Sequence, residues 1–305
     1  MKFTIYQESR IGRRRSNQDR LAYSYSRDAL LMVVADGMGG HLHGEVAAQI
    51  AVQYITQAFE RDAKTQVADA TLFLSRALTN AHHAVLDYAF DKYLPEAPRT
   101  TLVACLIQDN TAWWAHAGDS RLYLIRHGGI AARTRDHSRV QLLIDQGLIG
   151  AEEAARHPER NRVYSCLGGS QPPQIEFSKP CRLRNGDILL LCTDGVWGPF
   201  TDAALLEALA GTGVMEATPK ILDAAERRAG PACDNLSLLA LQWHDELAEG
   251  EPSTISTLAM DAESFTTQLD AFAEVRNPQG GAEFSDDQIE QAIAEINAAI
   301  HKFSK

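Results

Sequence analysis

The chain has no stretch approaching eighteen consecutive apolar residues, so nothing in it predicts a membrane-spanning helix. Its five cysteines (Cys105, Cys166, Cys181, Cys192 and Cys233) are odd in number, widely spaced and without a CxxC pair. That excludes a disulfide framework and a cysteine zinc site from the expectations, and leaves free thiols as small core residues. The opening segment "MKFTIYQESR" lacks the apolar region of a secretory signal, and a cytoplasmic protein is expected. There is no G-x-x-x-x-G-K-[ST] phosphate loop. A basic excess is also missing. Residues 245–305 carry 13 acidic and 3 basic side chains, whereas the first 244 residues carry 27 and 26. Neither part offers the cationic surface that nucleic acid requires.

What is present is a globular composition, 45% hydrophobic over 305 residues, enough for a sizeable core. "FTIYQES" and "RLAYSY" alternate apolar and polar residues as half-buried strands do, and "LLMVVA" and "DILLLCT" read as buried strands. "TTLVACLIQ", "TAWWAHA" and "RLYLIRH" are further strands, and "DN", "GDS" and "HGG" are expected to turn each into the next as hairpins. Helical spacing begins at Gly44 and returns over about residues 68–93 and 138–160. Thr201 and Thr218 are expected N-caps, the second with Pro219 at the first helical position. "NLSLLALQW" closes the run near Trp243. About ten strands in consecutive antiparallel pairs, with four or five helices in separate blocks, predict an α+β fold.

Composition shifts after residue 244. The sequence divides into a globular body at 1–244, an acidic linker at 245–284 and an amphipathic helix at 285–305. In that helix Ser285 and Gln288 form a capping box, and Ile289, Ile293, Ile296, Ile300 and Phe303 make one apolar stripe. The stripe has two readings, packing on the chain's own globular body or docking a partner, and the pattern does not choose between them.

The feature that asks for chemistry is a repeated one. Strands run into or out of Asp36, Asp194, Asp234, Asp119 and Asp19. A single aspartate beside a strand is an ordinary turn former. Several at one rim of a sandwich repel one another unless a cation sits among them. An all-oxygen set selects a hard ion, Mn²⁺ or Mg²⁺ rather than zinc, and Gly37, lacking a side chain, lets its own carbonyl approach such an ion. Two ions about 3.5–4 Å apart would share a hydroxide and aim it at phosphorus. The dinucleotide alternative fails because Leu42 stands where the third glycine of G-x-G-x-x-G is due. "GRRRSNQD" supplies cations beside the cluster, and Arg14 can fork onto a pair of phosphoryl oxygens.

In order, "RxxNQD" (14–19), "DGMGGHxxGE" (36–45), "AGDSR" (117–121), "TRDHS" (134–138), "HPERN" (157–161), "TDGVW" (193–197) and "DN" (234–235) resemble the metal-dependent PPM family, the type 2C Ser/Thr protein phosphatases, in its bacterial branch. The resemblance spans about residues 1–244. It implies a four-layer α-β-β-α sandwich of two antiparallel β-sheets flanked by helices, to which the C-terminal helical extension is added. It implies a Mn²⁺- or Mg²⁺-dependent phosphatase that reverses a Ser/Thr protein kinase by direct attack of a metal-bound hydroxide on phosphoserine and phosphothreonine proteins. By the same resemblance Asp36 bridges two ions, the Gly37 carbonyl binds one, Asp194 and Asp234 complete the pair, Asp119 holds a third, weaker ion and Asp19 orients water. Arg14 binds the substrate phosphate, His41 is the general acid, and 139–160 is a flap near the substrate. Gln18 stands where many members carry a glutamate ligand. His43 is expected to be solvated, His116 structural, and His137 with Ser138 to hold the turn before the flap.

Overall fold

The computed structural model describes residues 1–38, 43–244 and 255–256. Two antiparallel sheets face each other. One has the order β1 (Lys2–Arg10), β11 (Leu236–His244), β10 (Ile188–Cys192), β6 (Arg121–Arg126), β7 (Gly129–Arg133). The other runs β12 (Ile255–Ser256), β2 (Arg20–Tyr25), β3 (Ala29–Ala35), β4 (Leu102–Gln108), β5 (Thr111–Ala117), β8 (Glu176–Phe177), with β9 (Cys181–Arg182) also on β5.

The uninterrupted apolar runs follow from the layering. In β3, Leu30, Met32 and Val34 point into the inter-sheet core with Leu189, Leu191 and Leu239. Their neighbours Leu31 and Val33 face outward, but there they meet α1 (Gly44–Asp62) and α2 (Ala70–Asp91), through Ile55, Leu74 and Leu78. On the other sheet Leu190 and Leu238 meet α6 (Asp202–Leu209) and α7 (Val214–Ala229) in the same way. A strand covered on both faces has no polar side to show, so period-two alternation disappears. The four-layer α-β-β-α sandwich is therefore present.

The turns separate into two kinds. Asp109 and Asn110 both take positive φ, 49° and 54°, and close β4 onto β5, and His127 and Gly128 (50° and 73°) close β6 onto β7. These are tight hairpins of the kind whose twist suits adjacent strands. "GDS" is not one. It carries the chain from β5 in one sheet to β6 in the other, so Asp119 lies on a crossover between sheets. Thr201 caps α6 through the amide of Ala204 as expected. Thr218 does not cap a helix: α7 begins at Val214, with Gly213 at its N-cap, and Thr218 is buried inside it beside Pro219. Burial of Val214, Ala217, Ile221 and Leu222 against the sheet carries the helix back past the proline despite the lost backbone bond. The expected helix over 138–160 is two short ones, α3 (Arg139–Asp145) and α4 (Ala151–Arg156), and "DGVW" forms the single turn α5 (Asp194–Trp197). Among the described residues no helix is long and apolar enough to cross a membrane. The linker and the amphipathic helix expected after residue 244 lie outside the described residues, apart from Ile255 and Ser256, which pair with Tyr25 and Ser24 on the edge of β2.

Candidate metal centre

Each aspartate is delivered by a different chain segment. β3 ends at Ala35, and the backbone of Asp36 is held from the segment that leads into β4. Its carbonyl accepts from the Thr101 amide at 2.9 Å and from Thr100 Oγ1 at 2.8 Å. Gly37 follows with no room for a side chain, since a Cβ there would lie 2.4 Å from the Gly44 carbonyl and 2.7 Å from that of Gln18. β10 ends one residue before Thr193, whose amide donates to the Ser237 carbonyl (3.1 Å) and whose hydroxyl donates to Asp19 Oδ2 (2.9 Å). Asp194 then opens α5.

Asp234 precedes β11 and is fixed by its neighbour. Asn235 Nδ2 donates to the carbonyls of Ile11 (2.9 Å) and Ser16 (3.0 Å), and its Oδ1 accepts from the Gln18 amide (2.9 Å). One amide side chain thus pins both ends of the loop that carries Arg14. Gly195 packs directly on this residue, so that a Cβ would fall 2.0 Å from the Asn235 carbonyl. Gly195→Ala is accordingly expected to lower stability by about 2–4 kcal/mol, measured by denaturant unfolding. A change below 0.5 kcal/mol would show that α5 can lift off Asn235 freely.

The electrostatics link the five carboxylates. Burial, then Asp19, Asp194, Asp119 and Asp234, push Asp36 well above the usual carboxylate range. Burial, then Asp194 and Asp136, do the same to Asp119. Asp194 is pushed up to about 6, by burial and then Asp234, although a hydrogen bond with Asp36 opposes this. Asp19 rises to about 7 by burial, against the hydroxyls of Ser237 and Thr193. Arg14 forks onto Asp234, Nε to Oδ1 at 2.7 Å and Nη2 to Oδ2 at 2.5 Å, and also feels Asp194 and Asp36. This donor set of carboxylate oxygens suits a hard divalent ion, whose charge would relieve the mutual repulsion.

The sequence-predicted residues Arg14, Asp19, Asp36, Gly37, Asp119, Asp194 and Asp234 therefore come to one rim, whereas His41 lies outside the described residues. Gln18 turns its amide to Glu45 on α1, at 3.1 Å. His43 is not solvated. It is half-buried at the N-cap of α1, with φ 66°.

Sequence reasoning missed a second grouping of metal-ligand type. His116, His137 and Glu176 bring ligand atoms within 4.8 Å of one another, the only such trio among the described residues. His116 Nε2 bonds the Arg135 carbonyl (2.8 Å), and His137 Nδ1 accepts from the Gly118 amide (3.3 Å). The two rings stack, with centroids 4.6 Å apart and planes 25° apart. An ion lies in the plane of each imidazole that ligates it, so one ring would have to turn before the trio could hold one. As arranged, burial and then His116 hold His137 down to about 4, and the neutral pair braces the crossover that bears Asp119. Ser138 caps α3 through the Gln141 amide.

Comparison with known proteins agrees with this geometry. A family model described as Protein phosphatase 2C matches residues 6–225. The serine/threonine protein phosphatase PstP of Mycobacterium tuberculosis is 32% identical over 254 residues, 83% of this chain and 47% of that protein, so the chain spans about half the length of this relative. Protein phosphatase PhpP of Streptococcus pneumoniae is 30% identical over 78% of this chain and 97% of its own length. Among solved structures, the M. tuberculosis PstP/Ppp phosphatase matches with a TM-score of 0.69 at 32% identity, covering 80% of this chain and all of that one. The PstP catalytic domain in complex with two manganese ions matches with a TM-score of 0.66 at 31% identity, covering 80% of this chain and 99% of that one.

Proposed function

This chain belongs to the protein phosphatase 2C family, and on that premise we propose that it is a Mn²⁺- or Mg²⁺-dependent protein serine/threonine phosphatase acting on the products of a Ser/Thr protein kinase. The observation that carries the reading is the convergence of five aspartates from separate segments beside one forked arginine. Asp36, the Gly37 carbonyl, Asp194 and Asp234 would hold two ions, and Asp119 a third. Bound there, such ions supply a nucleophile at neutral pH by acidifying water and offset charge on the phosphoryl oxygens.

The chain's own groups do the rest. Arg14 presents a planar fork that fits two phosphoryl oxygens as it fits the two oxygens of Asp234. Asp19, fixed by Thr193 Oγ1, accepts a hydrogen bond from the attacking water and orients it. His41 protonates the departing Ser or Thr oxygen, a poor leaving group as an alkoxide, for a contribution of about 10²–10⁴-fold. The thiols of Cys105 and Cys192 lie in the core, where burial raises the first and pushes the second up to about 12, so neither serves as a nucleophile. The segment 139–160, beyond the Ser138 cap, is read as the flap over the substrate, and the apolar stripe from Ile289 to Phe303 as a docking element for a partner or for the catalytic domain.

With Mn²⁺ present, the purified protein is expected to release phosphate from phosphoserine and phosphothreonine peptides and to leave a matched phosphotyrosine peptide untouched. Equal rates on all three would overturn the assigned specificity. Arg14→Ala is expected to raise KM about tenfold or more, with a smaller fall in kcat, in steady-state assays on a phosphothreonine peptide. An unchanged KM would remove Arg14 from the phosphate subsite.

A further inference from the structure

Asp119 and Asp194 sit on segments that no short stretch of chain connects. Asp119 lies on the crossover between the sheets, Asp194 at the start of α5. One side chain joins them. Trp197, the last residue of α5, donates its indole Nε1–H to the Asp119 carbonyl at 3.0 Å. The ring is itself anchored: the Arg121 guanidinium lies 3.3 Å from its centroid. Arg121 in turn forks onto Asp136, Nε to Oδ1 at 2.8 Å and Nη2 to Oδ2 at 2.7 Å, and reaches Tyr123 Oη at 2.9 Å. That ion pair is largely out of solvent, with side chains 13% and 6% exposed. It forms a rigid plate against which the indole is held by cation–π attraction. The rest of the crossover is held from elsewhere, the Gly118 backbone by His137 and the Ser120 side chain by the Thr101 hydroxyl at 2.7 Å.

We propose that Trp197 is a positioning residue for the cation that Asp119 would take: its N–H holds the Asp119 peptide against the helix that bears Asp194, and so sets the distance between two carboxylates. The proposal rests on reading the acidic rim as a cation site. The two carboxylates repel each other when no ion lies between them. A crossover freed from the indole relaxes outward, and the ion with the weakest hold loses most. Substitution of groups that orient metal ligands typically costs 10–100-fold in affinity.

The test is calorimetric titration of chelator-treated protein with Mn²⁺, comparing wild type, Trp197→Phe and Asp119→Asn. Phenylalanine keeps a ring under Arg121 and removes only the N–H. Wild type is expected to show a tight phase and a weak one. Asp119→Asn should lose the weak phase. Trp197→Phe should weaken it about tenfold and leave the tight phase within twofold, which a general loss of stability would not do. A weak phase in Trp197→Phe within twofold of wild type, with Asp119→Asn behaving as expected, overturns the role of Trp197 alone. A wild type without a weak phase, or an Asp119→Asn variant that keeps it, overturns the cation reading at Asp119 and the proposal with it. Should Trp197→Phe not fold, ¹⁵N-indole spectra of the four tryptophans give the answer. Mg²⁺ added through the weak phase should move one indole resonance in wild type and none in Asp119→Asn. No movement in wild type overturns the proposal.

Discussion

Asp36→Asn is expected to reduce Mn²⁺-dependent hydrolysis by about a thousandfold while making the chelated protein more heat-stable. Both effects come from the same atoms. Asparagine keeps the shape of the side chain and the backbone bonds to Thr100 and Thr101, so the fold around it should persist. What goes is the charge at the one carboxylate that faces all four of the others. Losses on the order of 10²–10³ follow removal of a single preorganised electrostatic group, and a ligand shared between two ions should sit at the upper end. The stability effect has the opposite sign. In the absence of ions the wild-type carboxyl either stays charged among its neighbours or takes up a proton against its ordinary tendency, and each choice carries a free-energy cost that an amide does not. A rise of a few degrees in the melting temperature of the chelated variant is expected, at about 2–4 °C per kcal/mol for a domain of this size. Scanning calorimetry with and without Mn²⁺, beside a phosphate-release assay, checks both. A variant that retains more than a tenth of wild-type turnover would remove Asp36 from the bridging position.

The pairing of lost activity with gained stability marks a site whose residues were not selected for the fold, and the sequence carries that mark unevenly. "LLMVVA" ending on Asp36 and "LLLCT" ending on Asp194 are legible because a buried strand that stops on a carboxylate breaks its own pattern. The hairpins at Asp109-Asn110 and His127-Gly128 are legible because positive φ restricts the residue types that can stand there. "GDS" uses similar residues for a crossover between sheets, and local chemistry does not distinguish a turn that returns within a sheet from one that leaves it. Thr218-Pro219 has the form of a helix start, but the start was decided by which residues α7 could bury. The support behind the site was the least legible part. Arg121 and Asp136 fall in two motifs read separately, and Asn235, His137 and Trp197 act on partners up to 224 residues away. Such pairings depend on sheet register, which a single sequence does not encode locally.

Removal of divalent ions is expected to stop hydrolysis outright, and to lower the melting temperature by an amount that grows as pH rises from about 4 to about 7. The direction follows from the carboxylates. Asp194 titrates at about 6 and Asp19 at about 7 in the folded chain, both above the ordinary 3.8, chiefly through burial. A raised carboxyl binds its proton more tightly in the folded state, so its contribution is fully present below the unfolded value. It is lost as pH rises through the folded value. The chelated protein should therefore lose stability across that window. Ions reverse the loss where they bind, because they take the place of the protons. At a Mn²⁺ concentration 100 times the dissociation constant the gain is about 2.7 kcal/mol, or roughly 5–10 °C. Near pH 4 protons outcompete the ions, and the curves with Mn²⁺ and with chelator should converge. The difference between the two curves isolates the acidic rim from the acid sensitivity of the remaining chain, which both share. Parallel curves from pH 4.5 to 7.5, or hydrolysis that survives chelation, would mean that the aspartates meet at this rim for some purpose other than holding cations.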